Sequence, residues 1–237
     1  MLKEAIQQIE KMSPCRIERL NNKVFSDKPM QFVTDLKHKP KTVETSGLGP
    51  LVSIVLNEAE KFYSPIYVEV KDFNEVIAYT AMDDEYDRQF ICRAVSDVPA
   101  FKFDWKEHSE AMIAFRSRFI PNPDLDYVLM LLGKIIDSNS VTSEDNGLSQ
   151  TVEVRKGVGL KDREYIRPIV KLAPYRTFFE IEQPESEFLL RLKEGGMVGL
   201  IEADGEMWRM ESKRRIGQKL SEMLEPLVSS GGVIVTF

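Results

Sequence analysis

Apolar residues recur at helical spacing over residues 2–12, where Ile6, Ile9 and Met12 share a face and Pro14 follows as a stop. Residues 26–50 read as loop. Pro29, Pro40, Gly47, Gly49 and Pro50 punctuate a lysine-rich stretch and mark a flexible junction. Pro50 suits a first helical turn, and Leu51, Ile54, Val55, Glu58 and Phe62 continue at helical spacing. Strands are predicted at 66–70, 76–81 and 88–95, with Asp83-Asp84-Glu85 as the turn between the last two, an antiparallel meander. Trp105, Met112, Phe115 and Phe119 give the next helix one apolar stripe, and Pro121 and Pro123 break it. Asp124 is placed to cap a further helix carrying Leu125, Val128, Leu129, Leu132, Ile135 and Ile136. Met130 and Leu131 make that helix apolar almost all round, so it is expected to be the most buried element.

Asp145-Asn146-Gly147 signals a tight turn and opens a β-rich region. Strands are predicted at 150–156, 165–172, 176–183, 188–193 and 197–202. The alternation of Phe188, Leu190 and Leu192 fits a sheet wetted on one face. A helix over 207–228 and a closing strand over 233–237 complete the chain. Strands, helices, strands and a helix in blocks do not alternate as βαβ units do. The order predicts an α+β fold, mainly antiparallel sheet with several packed helices. An N-terminal helix and flexible arm over 1–46 would precede a main body over 47–237, with a subdivision near 140.

The 237 residues include 38 acidic and 32 basic side chains, a net charge of -6. That excess argues against broad binding to nucleic-acid phosphates while leaving room for a small basic groove. Cys15 and Cys92 make a poor disulfide framework, so both are read as reduced. With no signal-like start and no apolar run long enough for a bilayer, the sequence predicts a cytoplasmic protein with no membrane partner.

Candidate chemistry is sparse. The chain lacks a Walker-type phosphate loop, and Gly157-Val158-Gly159 reads as a plain turn. His38 and His108 are too few for a histidine metal site, and Cys92 reads as a buried strand thiol. No metal or cofactor is expected and no catalytic residue is assigned. Three groupings remain as candidate binding residues. On a strand, Arg176, Phe178, Glu180 and Glu182 would share a face. The two carboxylates would then either hold a cation or form a charged outer face paired across strands with Arg176 or Arg191. Asp204, in Glu202-Ala203-Asp204-Gly205-Glu206, belongs to a cation loop or an ordinary Asp-Gly turn. Arg209 and Lys213, with Arg214, Arg215 and Lys219, give a helix face that contacts phosphate or is solvated and offset by Glu211 and Glu222.

Three blocks carry a resemblance: residues 145–157 (DNGLSQTVEVRKG), residues 174–188 (PYRTFFEIEQPESEF) and residues 202–208 (EADGEMW). Together they resemble proteins encoded by phages and prophages of Gram-positive bacteria, related to the YfdQ-like family of unknown function. The resemblance runs from about Gly47 onward. It implies a phage-encoded accessory protein in the host cytoplasm and imports no catalytic residue.

The leading expectation is a non-catalytic homo-oligomer that sequesters a host factor or signal, or assembles with itself. Its partners would be further copies, a host protein or a small nucleotide, and the strand edge at 233–237 offers a route to self-association. One alternative is a nucleic-acid-binding protein for phage replication or recombination, in which Tyr175, Phe178 and Phe179 stack on bases. Another is a carboxylate-dependent metalloenzyme on phosphate esters, needing Glu180, Glu182, Asp204 and Asp145 to converge.

Overall fold

A computed structural model describes residues 2–12, 17–20, 23–26, 41–62, 64–83, 86–136, 140–145, 150–156, 160–193 and 196–237. The predicted turns at Asp84-Glu85, Asn146-Gly147 and 157–159 lie outside the described residues, as do Cys15, His38 and the loop over 27–40. The chain divides into two compact units, 1–40 and 41–237. In the first, helix α1 (Leu2–Met12) precedes strands β1 (Ile17–Leu20) and β2 (Lys23–Ser26), which pair antiparallel.

The second unit opens with strand β3 (Val43–Thr45), a departure from the loop predicted there, because it pairs in parallel with a later strand. Then come α2 (Leu48–Ala59), β4 (Ile66–Asp72), β5 (Glu75–Thr80), β6 (Phe90–Val95), β7 (Lys106–Glu107), α3 (His108–Arg118) and α4 (Pro123–Ile136). They are followed by β8 (Ser140–Asp145), β9 (Gln150–Lys156), β10 (Leu160–Ile166), β11 (Ile169–Leu172), β12 (Ser186–Lys193) and β13 (Met197–Glu202). Helices α5 (Trp208–Met223) and α6 (Glu225–Ser229) lead to β14 (Val233–Thr236). The fold is α+β. A five-stranded sheet runs β14-β4-β5-β6-β3, antiparallel inside and parallel at both edge pairs, and a four-stranded antiparallel sheet runs β11-β12-β13-β7. Strands β8, β9 and β10 form a three-stranded antiparallel sheet.

Two cores organise this unit. In β4, Ile66, Val68 and Val70 alternate toward one face, where Leu51 and Val55 of α2 and Ile216 and Leu220 of α5 cover them. In β12, Phe188, Leu190 and Leu192 alternate inward against Phe115 of α3 and Val128 and Leu132 of α4. Each such side chain contributes about 1.5–3 kcal/mol by leaving water, so period-2 strands and period-3.6 helices find each other through their apolar faces.

Several predicted details differ. Trp105 precedes α3 instead of lying on it, and His108 is half-buried with its Nδ1 unpartnered. Asn122, not Asp124, caps α4: its Oδ1 accepts the Leu125 N–H at 2.8 Å, leaving Pro123 in the first helical position. Asp124 instead accepts the Lys171 N–H at 2.7 Å. Met130 is 53% exposed, so α4 keeps a wet side. The strand predicted over 165–172 breaks at Arg167-Pro168, where the Arg167 N–H goes to the Tyr127 hydroxyl at 3.0 Å. The last helix breaks at Leu224, because Pro226 in the first turn of α6 cannot continue α5.

Candidate functional site

The strand predicted over 176–183 does not form. Gln183 takes over the role of a neighbouring strand: its Oε1 accepts the N–H groups of Arg176 at 3.0 Å and Thr177 at 3.2 Å, and its Nε2 donates to the Phe178 carbonyl at 2.8 Å. Buried backbone groups need partners, and one buried amide side chain supplies them here. The segment therefore folds into a compact turn. Arg176 and Phe178 point inward while Glu180 and Glu182 are exposed, so the four residues do not share a wet face.

Arg176 becomes the centre of a buried polar node. Its side chain is 1% exposed. One guanidinium nitrogen pairs with Glu202, and the other donates to the Ser186 hydroxyl and to the Pro184 carbonyl at 3.2 Å. The Ser186 hydroxyl in turn donates to Asp204. The guanidinium lies 4.0 Å from the Trp208 ring centroid, a cation–π contact that arginine makes more often than lysine. Burial pushes Arg176 down to about 10, with Glu202 and Asp204 opposing the shift, so it stays a cation at neutral pH. Arg176 and Asp204 fall in separate groupings along the sequence. The structure joins them through Ser186 and Glu202. Gly205, at φ +62, makes the Asp-Gly turn that brings Asp204 back toward β12.

The other candidates go elsewhere. Glu180 accepts the Leu48 N–H at 2.8 Å at the start of α2. Glu182 pairs with Arg215 at 3.2 Å. Arg209 lies over the Phe73 ring at 5.1 Å and pairs with Glu206, while Lys213 lines an apolar pocket on α5. Glu180, Glu182 and Asp204 thus serve three different partners, and the side chain of Asp145 lies outside those described. Among the described residues no group of three His, Cys, Asp or Glu is placed to hold a metal ion. On α5, Arg214 and Arg215 both bind Glu211, and Lys219 lies 3.7 Å from Glu222. A pocket of about 330 Å³ between the Glu180–Glu182 turn and α5 is bordered by these alternating charges. Cys92 is fully buried, and burial, then Glu58, pushes its thiol up to about 11, which makes it an inert thiol.

Two surfaces are assembled by the fold, the first beside the strand edge at 233–237 that the sequence marks. The first is a pocket of about 540 Å³ lined by Met207, Met210, Glu211, Lys213, Arg214 and Phe237. Met207 and Met210 are 71% and 76% exposed. The Phe237 ring lies on Gly217 of α5, where a Cβ would overlap it. The pocket adjoins β14, an edge strand without a charged residue. The second is a row on the face of the five-stranded sheet away from its helices. Ile234, Tyr67, Tyr79 and Phe90 are successive cross-strand partners, with Tyr67 and Tyr79 stacked at 5.7 Å and Arg88 5.3 and 5.0 Å above their rings.

Compared with protein-family models, curated proteins and solved structures, the chain matches none. Among the described residues no helix is long and apolar enough to cross a membrane. A functional reading therefore rests on the surfaces and the node themselves.

Proposed function

We propose that this protein is a non-catalytic, homo-oligomeric accessory protein that acts through its surfaces. The supporting observation is the outer edge of β14, unpaired by any strand among the described residues, beside the exposed Met207, Met210 and Phe237. Natural sheets protect edges with lysine, proline or bulges, and β14 (VIVT) has none of these. An unprotected edge flanked by exposed methionines is suited to association, since methionine adapts to a partner's contour. Arg176, Glu180, Glu182, Asp204 and Arg209 are engaged in internal bonds, which fits an adaptor better than a reaction centre. The resemblance of the three sequence blocks adds a phage-encoded origin and a place in the host cytoplasm, with sequestration of a host factor or signal, or self-assembly, as the task. Native mass spectrometry of the purified chain at micromolar concentration tests this. A multiple of the subunit mass is expected, and a strictly monomeric species overturns the reading.

The aromatic row favours a second reading, single-stranded nucleic-acid binding. Phe90 is 52% exposed and Arg88 lies over its neighbours, an arrangement able to stack bases. It replaces the stack first expected at Tyr175, Phe178 and Phe179, because Phe178 is buried. Titration of a labelled oligonucleotide should show affinity that falls with salt and on Phe90→Ala. No binding at low salt ends this reading.

A further inference from the structure

We infer that β14 pairs antiparallel with β14 of a second copy, with Val235 on the two-fold axis, and so joins two five-stranded sheets into one. This rests on the homo-oligomeric reading and specifies its interface.

The register identifies the residues. The Ile66 N–H donates to the Gly232 carbonyl at 3.0 Å, so Gly232 faces β4. Backbone groups alternate sides along a strand, so Ile234 and Thr236 also face β4, and Val233, Val235 and Phe237 direct their N–H and C=O groups to the other side. No strand among the described residues pairs there. A second β14 satisfies these groups best in the antiparallel sense, because a two-fold axis places the same strand opposite itself. With the axis at Val235, each Val235 gives and receives a hydrogen bond, and Val233 meets Phe237 of the second copy.

Side chains support the same choice. Val233 and Val235 lie on the helix-covered face, within or against the first core. Phe237 follows on that face, against Gly217, and completes the pocket with Met207 and Met210. Pairing the edges brings these apolar groups of both copies together on one side of the joined sheet. The pocket's charged residues are of both signs, Glu211 with Lys213 and Arg214, so the two copies meet without a like-charged field.

Two variants test the geometry. Opposed hydrogen-bonded residues lie with Cα atoms about 5.5 Å apart, within disulfide reach. In a Cys15→Ser background, Val235→Cys should therefore give a covalent dimer under mild oxidation, where the background chain gives none. Val235→Pro removes the outward N–H from an edge strand, a position where proline is tolerated. It should retain the circular dichroism of the wild type while the dimer dissociation constant rises at least about tenfold, one lost pair of bonds being worth roughly 1.4 kcal/mol or more. An oligomer that persists in Val235→Pro, with no cross-link in Val235→Cys, overturns the β14 interface and leaves the homo-oligomeric reading standing. A monomeric wild type overturns both.

Discussion

Arg176 shows how one side chain can be conspicuous in a sequence and still be misread. Its neighbours Phe178, Glu180 and Glu182 suggested a strand, and a strand would have set Arg176 among charges in water. Its burial is decided by residues far along the chain: Ser186 and Pro184, then Glu202, Asp204 and Trp208. No local period encodes that meeting. Cys92 was legible because the strand around it is apolar on its own evidence. The node yields a sharp expectation. Arg176→Met strands Glu202 and Asp204 beside each other without their cation, and breaking a buried pair costs about 3–5 kcal/mol. Glu202 keeps 30% of its side chain in water, so the lower end applies. Arg176→Lys keeps the charge but loses the fork and weakens the Trp208 contact, and should cost roughly half as much, about 1.5–2 kcal/mol. Urea midpoints measure both. A lysine variant as stable as the wild type would show that charge alone, and not the planar guanidinium, holds the node.

At the scale of elements, periodicity located α2, the strands of the meander and the long helix after residue 207, since each has a dry face fixed by its own spacing. It missed β1, β2, β3 and β8 and joined β10 to β11 at 165–172, because short strands and a break at one proline leave little periodic trace. It overestimated the strand at 176–183 because Gln183 satisfies the backbone in place of a ladder. On the charged face of α5, Glu211 offsets Arg214 and Arg215 at the three- and four-residue spacing of a helix. Hydrogen bonding from Arg214, with Arg215 adding to it against partial burial, holds the Glu211 carboxyl down at about 2, from an ordinary 4.5. A carboxyl depressed on folding contributes stability above its unfolded value and loses it as pH falls toward the folded one. Glu211→Gln should thus melt lower than the wild type at pH 7. The gap should be only about 1–3 °C, since the pair is open to screening. It should close between pH 4.5 and 2. Thermal melts across that range check it, and a gap that persists at pH 2 would assign the stabilisation to something other than the ionised carboxylate.

For the whole molecule, the segment from Ala173 to Glu185 is the joint between the two cores. It leaves the second core with the Ile120 N–H on the Ala173 carbonyl and the Tyr175 N–H on the Arg118 carbonyl, both at 2.9 Å. It then places Phe178 and Ile181 in the first core and bonds Thr177 to the Phe73 carbonyl and Glu180 to Leu48. It returns to the second core at Phe188. Removing a buried ring costs about 3–5 kcal/mol wherever it lies, so loss of stability alone cannot identify a joint. Cooperativity can. Trp208 lies against Phe73 in the first half, and Trp105 lies against Gly199 in the second, so single-tryptophan chains report each half separately. In the wild type the two fluorescence transitions in urea should coincide. Leu190→Ala, which hollows the second core alone, should shift both together. Phe178→Ala should separate them, the first half unfolding at lower urea, because the larger of the two apolar side chains that anchor the segment in the first core is gone. Coincident transitions in Phe178→Ala would mean that the cores are coupled by the remaining ties, Ile181 in the first core, Thr177 to Phe73 and Arg176 to its carboxylates, and that the buried ring contributes stability without cooperativity.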